Sequence, residues 1–187
     1  MITKEVRVAL KTLQQRGVII YPTDTIWGIG CDATNEKAIN KIFSIKKRND
    51  NKSMIILVDS LDMLRDYVEM IPEKVVEILN TSKKPTTVIY NNPKGLAKNV
   101  IAKDNTIAIR IVEDTFCKKL IRKLEKPIVS TSANISGEPT PKSFQEISAS
   151  ILDAVDYVVN LQHEKITTES SKIIKILDNG EVKVIRE

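Results

Sequence analysis

Apolar residues recur along this chain with two periods, about 3.6 and 2, which mark helices and strands respectively. Val6, Leu10 and Leu13 share one helical face over residues 3–15, and Gly17 closes that stretch. Ala38, Ile42 and Ile45 mark a second helix over 35–48, with Asn35 as its cap. Proline at a first turn predicts a helix over 72–80, and residues 114–124 and 143–152 read as helices too. Apolar runs predict buried strands over 18–21, 54–58, 87–90, 107–112 and 128–131. Three more strands, at 157–160, 173–177 and 182–185, close the chain, and Asp178-Asn179-Gly180 is a hairpin turn signal between the last two. Strands and helices alternate and the C-terminal end is β-rich, so the expected class is α/β with a mixed sheet. No repeat, low-complexity stretch or linker divides the pattern, which predicts a single domain over 1–187.

Composition narrows this picture only slightly. With 42% hydrophobic and 28% charged residues the chain is expected to fold, and with only 4% aromatics its core must rest on Ile, Val, Leu and Ala. The net charge of +5 suits a solvated lysine-rich surface and a face for nucleotide phosphates or RNA equally well. Cys31 and Cys117 stand far apart, which argues against a disulfide scaffold or a zinc site. The first ten residues mix charges with apolar positions, unlike a signal peptide, and no run approaches the roughly 20 apolar residues that cross a bilayer. The expectation is a reduced, cytoplasmic protein with no membrane partner.

The polar stretches that interrupt the periods are the candidates for chemistry. Gly28-Ile29-Gly30-Cys31-Asp32-Ala33 fits a dinucleotide fingerprint only loosely. Pro22 to Trp27 separate it from the strand, and the position about twenty residues on lies in a basic stretch where a ribose carboxylate is needed. No phosphate loop of the Walker type occurs. Pro22-Thr23-Asp24-Thr25 is either a turn or a set of hydroxyls at a strand end, where α/β sheets bind ligands. Lys46-Lys47-Arg48, followed by Lys52, offsets a helix dipole, yet four cations within seven positions are better tolerated around an anion. Ser130-Thr131-Ser132-Ala133-Asn134-Ile135-Ser136-Gly137 follows a buried strand and is either a plain surface loop or a set of small side chains and backbone N–H groups suited to phosphate or ribose. Arg110 sits in an apolar strand on the side opposite Ile109 and Ile111, either exposed at an edge or clamping a carboxylate. His163, the only histidine, reads as a surface residue.

Taken together and in order, these stretches resemble the threonylcarbamoyl-AMP synthases of the YrdC/TsaC type. The resemblance rests on Tyr21-Pro22-Thr23-Asp24-Thr25-Ile26-Trp27-Gly28-Ile29, on Lys46-Lys47-Arg48, and on Lys52 before an apolar strand. It continues through Pro85-Thr86-Thr87-Val88, the strand ending in Arg110, Ser132 to Gly137, and Ser170-Ser171-Lys172-Ile173. It covers essentially the whole chain. Trp27 replaces a tyrosine of the pattern, Asn49 a proline and Ser171 a threonine. The end at Glu187 implies the short form, without the extra C-terminal domain of the larger branch.

The resemblance implies a twisted mixed sheet with helices on both faces around a basic concave cavity. It implies that L-threonine, bicarbonate and ATP give threonylcarbamoyl-AMP and pyrophosphate, for modification of a tRNA adenosine by downstream threonylcarbamoyl-transferase proteins. By position, Thr25, Arg110, Ser130 and Ser170 hold threonine or its carbamate. Arg48, Lys52, Thr106, Ser132, Asn134, Thr140 and Arg186 hold ATP or the adenylate, and Lys46, Arg48 and Lys52 carry the catalytic cations. Mg²⁺ is expected to arrive on the ATP phosphates, since the sequence shows no carboxylate cage of its own. Whether tRNA touches the protein stays open. The alternative is a relative that keeps the fold and binds RNA or nucleotide without efficient synthesis.

Overall fold

The computed structural model of the chain describes residues 1–48, 54–167, 169–177 and 179–187. The strands are β1 (Ile19–Tyr21), β2 (Gly28–Gly30), β3 (Ile55–Val58), β4 (Thr86–Asn91), β5 (Thr106–Ile111), β6 (Ile128–Ser132), β7 (Tyr157–Val158), β8 (Lys172–Ile176) and β9 (Val182–Arg186). The helices are α1 (Ile2–Gln14), α2 (Glu36–Ile45), α3 (Leu61–Tyr67), α4 (Glu73–Thr81), α5 (Thr115–Leu124) and α6 (Ala149–Leu152). The strands form one sheet in the order β7-β1-β2-β6-β3-β5-β4-β8-β9. It is mixed: β1 with β7, β3 with β5 and β4 with β8 run parallel, while the other pairs are antiparallel.

Side-chain alternation gives the two faces different jobs. Ile20, Ile29, Val129, Ile56, Val58, Ile107, Ile109, Val88, Tyr90 and Ile174 form a continuous apolar face. Buried residues of α2, α3 and α4 (Ala38, Ile39, Ile42, Leu64, Val75) close over it. On the opposite face only part of the sheet is apolar. Ile19, Tyr21, Leu57 and Ile128 pack under Val6, Ala9 and Leu13 of α1 and Phe116, Leu120 and Ile121 of α5. Beyond that cover the same face turns polar: Ser130 and Ser132 on β6, Arg110 on β5 and Thr87 on β4. The helices that pack on the two faces thus leave part of one face free for chemistry.

Local chemistry places the helix ends. Asn35 accepts from Ala38 N at 3.0 Å, Ser60 from Met63 N at 3.2 Å and Asp114 from Cys117 N at 2.9 Å, each capping a first turn. The pattern over 143–152 does not give one helix. It breaks into a 3-10 turn, Phe144–Glu146, and the four-residue α6. There the Glu146 carboxylate turns back to Lys142 N at 2.8 Å and the Ser148 and Ser150 hydroxyls lie 3.0 Å apart, local bonds that compete with a helix. β8 and β9 pair antiparallel as the hairpin signal implied, although Asp178 lies outside the described residues.

The two glycines of the loose fingerprint have another purpose. A Cβ on Gly30 would stand 1.8 Å from Val129 O and 3.0 Å from the Tyr21 ring. The missing side chains let Tyr21 cross the sheet and donate to Val129 O at 2.8 Å.

Candidate active site

The polar part of the sheet is the floor of a cavity of about 210 Å³. Ser130, Ser132, Ile55 and Arg110 rise from β6, β3 and β5. Thr25 comes from the β1–β2 loop, Thr140 from the loop after β6, Ser170 and Ser171 from the approach to β8, and Arg186 from the end of β9. Of the residues the sequence proposed, Thr25, Arg110, Ser130, Ser132, Thr140, Ser170 and Arg186 therefore line one cavity.

Arg110 is the fixed charge of this site. It is 3% exposed, and its Nη2 donates to Asp24 Oδ1 at 3.0 Å. The other Asp24 oxygen accepts from Glu113 N at 3.0 Å, which locks the carboxylate. Arg110 Nε is buried with no partner among the described residues, while the residue itself lines the cavity. Of the two readings from the sequence the exposed edge fails, because β5 lies between β3 and β4 and Arg110 is buried; the carboxylate that holds it comes from the chain itself. Asp24 is the partner that residue-by-residue reasoning missed; the need of a buried arginine for an anion was the signal for it.

The loop bearing Thr25 is tightly built. Thr23 Oγ1 accepts from Thr25 N at 3.0 Å and donates to Ile26 O at 2.7 Å. Lys165 Nζ donates to Thr23 O at 3.1 Å from the far side. On the opposite wall Arg186 donates through Nε and Nη2 to Ser171 O, at 3.0 and 2.7 Å. Ser171 Oγ in turn lies 2.8 Å from Thr87 Oγ1. Burial, then the nearby Arg110 charge, pulls the Arg186 guanidinium below its ordinary pKa, so the two cations feel one another across the site.

The Lys-x-Arg motif meets the serine-rich turn. Lys46 is 3% exposed, and its Nζ donates to Ser132 O and, at 2.7 Å, to Asn134 O. Burial first, then Arg48, pushes its pKa down to about 8. Arg48 is half-buried and close enough to Lys46 for its charge to act there. Lys52 and Asn49 lie outside the described residues. Two other expected ligands face elsewhere. Thr106, at the other end of β5 from Arg110, donates to Asp104 Oδ1 at 2.7 Å and does not line the cavity. Asn134 spends its amide inside its own loop, on Ile135 O at 3.1 Å and Glu138 O at 2.7 Å.

Trp27, which replaces a tyrosine of the family pattern, is buried in the core, 1% exposed. His163 is no surface histidine: it is half-buried, stacks on Phe144 with centroids 3.8 Å apart, and meets the Trp27 ring at 5.5 Å. A second cavity, of about 440 Å³, lies on the other side of the Asp24–Arg110 pair, between Asp59, Lys83, Lys84 and Lys118. Among the described residues no helix is long and apolar enough to cross a membrane.

Comparison with known proteins places the chain in a family and agrees with its fold. Residues 11–187 match the Sua5/YciO/YrdC family model, described as "Telomere recombination". A threonylcarbamoyl-AMP synthase of Xanthomonas euvesicatoria is 34% identical over 155 residues, covering 81% of this chain and 83% of that one. Among solved structures, P. abyssi Sua5 complexed with L-threonine superposes with a TM-score of 0.85 at 24% identity, covering 97% of this chain. This chain spans 53% of the P. abyssi protein's length. E. coli YciO gives a TM-score of 0.85 at 22% identity, covering all of this chain and 90% of its own.

Proposed function

Because the chain belongs to the Sua5/YciO/YrdC family, we propose that it is a threonylcarbamoyl-AMP synthase: a nucleotidyltransferase that makes threonylcarbamoyl-AMP and pyrophosphate from L-threonine, bicarbonate and ATP. The observation that carries this reading is the convergence of Thr25, Arg110, Ser130, Ser132, Thr140, Ser170 and Arg186 on one cavity.

The chemistry asks for what these residues offer. The threonine amine and bicarbonate condense to a carbamate with loss of water. A carbamate oxygen then attacks the α-phosphorus of ATP, and pyrophosphate leaves with the broken P–O bond. Such a displacement needs alignment and fixed positive charge rather than a protein nucleophile. Arg110, held by Asp24 at the edge of the cavity, takes the threonine carboxylate. Thr25, Ser130 and Ser170 bond to its small polar groups. Arg186, Ser132 and Thr140 face the nucleotide, and Arg48 with Lys52 approaches its phosphates. Mg²⁺ enters as part of the substrate, on the triphosphate. The product is an activated acyl group, so it is handed to transferase proteins that modify a tRNA adenosine, which puts the work in the cytoplasm.

The test is direct. Purified protein with ATP, Mg²⁺, threonine and bicarbonate releases pyrophosphate, and omission of threonine or bicarbonate abolishes the release. Pyrophosphate formation indifferent to threonine, or none at all, would refute the proposal.

A further inference from the structure

Deepening that reading, and resting on it, we propose that Lys46 is a positioning residue: it shapes the serine-rich turn from behind and does not touch the phosphates. Lys46 caps the C-terminal end of α2, where it is 3% exposed. Its ammonium has three protons. One goes to Ser132 O, one to Asn134 O at 2.7 Å, and the third faces Asn134 Oδ1 at 3.5 Å. The main chain of the same residue holds the turn a second time, because Lys46 O accepts from Ser136 N at 2.9 Å. Lys46 therefore fastens residues 132–136 at both of its ends.

The turn depends on this fastening. It closes with Asn134 N donating to Ser132 O at 2.9 Å, and passes through Gly137 at φ +90, a conformation that favours glycine. Ser132 at one end of it lines the cavity, as does Thr140 just beyond it. To reach a ligand, the ammonium would have to release Asn134 O and leave Ser132 O with only the Asn134 N–H, giving up hydrogen bonds that hold the turn. Its influence on the site passes instead through the position of Ser132 and the chain that follows.

Nucleotide titrations separate the two roles. Lys46→Met keeps the stem and removes the donors. A positioning residue predicts that ATP, ADP and AMP lose affinity by the same factor, about tenfold, the equivalent of one displaced hydrogen-bonding group. A loss that grows with the number of phosphates, and is absent for AMP, would overturn the proposal. If the unaltered protein binds no nucleotide, the synthase reading fails, and amide hydrogen exchange on the ligand-free protein still judges this one. There Lys46→Met is expected to speed exchange at Ser136 and Asn134 at least tenfold, with α5 unchanged; unaltered exchange in the turn would overturn it. Should Lys46→Met not fold, Lys46→Gln, which retains a shorter donor, is read by the same exchange criterion.

Discussion

Replacing Asp24 with asparagine probes the buried pair at the centre of the site. The side chains are close in size, so packing is preserved while the charge opposite Arg110 disappears. Arg110 is 3% and Asp24 12% exposed, and they meet at 3.0 Å, so the pair belongs with buried rather than surface ion pairs. Removing one partner of such a pair costs about 3–5 kcal/mol. Here the adjoining cavity admits water to the guanidinium, and the asparagine oxygen can still accept from Glu113 N, which argues for the lower end, about 3 kcal/mol. For a chain of this length that corresponds to a fall in Tm of roughly 6–12 °C. Urea unfolding of the wild type, Asp24→Asn, Arg110→Met and the double variant, all without ligand, measures it. The cycle is expected to return a coupling of about 2 kcal/mol, since the double variant leaves no stranded cation. A coupling below about 0.5 kcal/mol would refute the claim that Asp24 holds Arg110 in place.

Three further outcomes follow from the same geometry. By isothermal titration, Arg110→Ala is expected to weaken threonine binding more than ATP binding, with Arg48→Ala or Lys52→Ala doing the reverse; equal effects would undo the division of the site. Gly30→Ala places a methyl group 1.8 Å from Val129 O and against Tyr21, so urea midpoints are expected to report a loss of about 3 kcal/mol or more, whereas Gly137→Ala, with open space around it but φ +90, is expected to cost only about 1 kcal/mol. Lys46 is held near pH 8 by burial and Arg48, against an ordinary value of 10.5. Between these values the unfolded chain binds a proton that the folded chain has released, so this group makes stability rise with pH across that window and fall as pH drops through 8. The stability difference between the wild type and Lys46→Met, measured from pH 7.5 to 10.5, is expected to climb by up to about 3 kcal/mol; parallel curves would contradict it.

Much of this architecture was legible because local chemistry and tertiary packing agree. Asn35 and Asp114 are good caps standing before amphipathic runs, and α2 and α5 begin where those caps predict. β2 was not legible: two of its three residues are glycines, which carry no apolar period, and its reason for existing is the passage of the Tyr21 ring. α3 went unnoticed although Ser60, Leu61 and Leu64 spell a cap and a face; seven residues are too short for the period to declare itself. The aromatic packing of His163 was illegible for another reason, since its partners Trp27 and Phe144 arrive from distant loops.

The site followed the same rule. Alternation alone sent Arg110 to the face opposite its apolar neighbours, and that is the face of the cavity. What alternation cannot supply is a partner 86 residues away, so Asp24 was invisible in one dimension. Nor could it tell that a cation of the Lys-x-Arg motif fastens a turn: the Lys46 ammonium is directed onto the carbonyls of Ser132 and Asn134. Lys46 stands there because it ends α2 beneath the turn after β6, a juxtaposition made by the antiparallel pairing of β6 with β2 and β3. Sheet order, rather than residue type, therefore decides which basic residues of a motif can meet a substrate and which are committed to the scaffold that presents it.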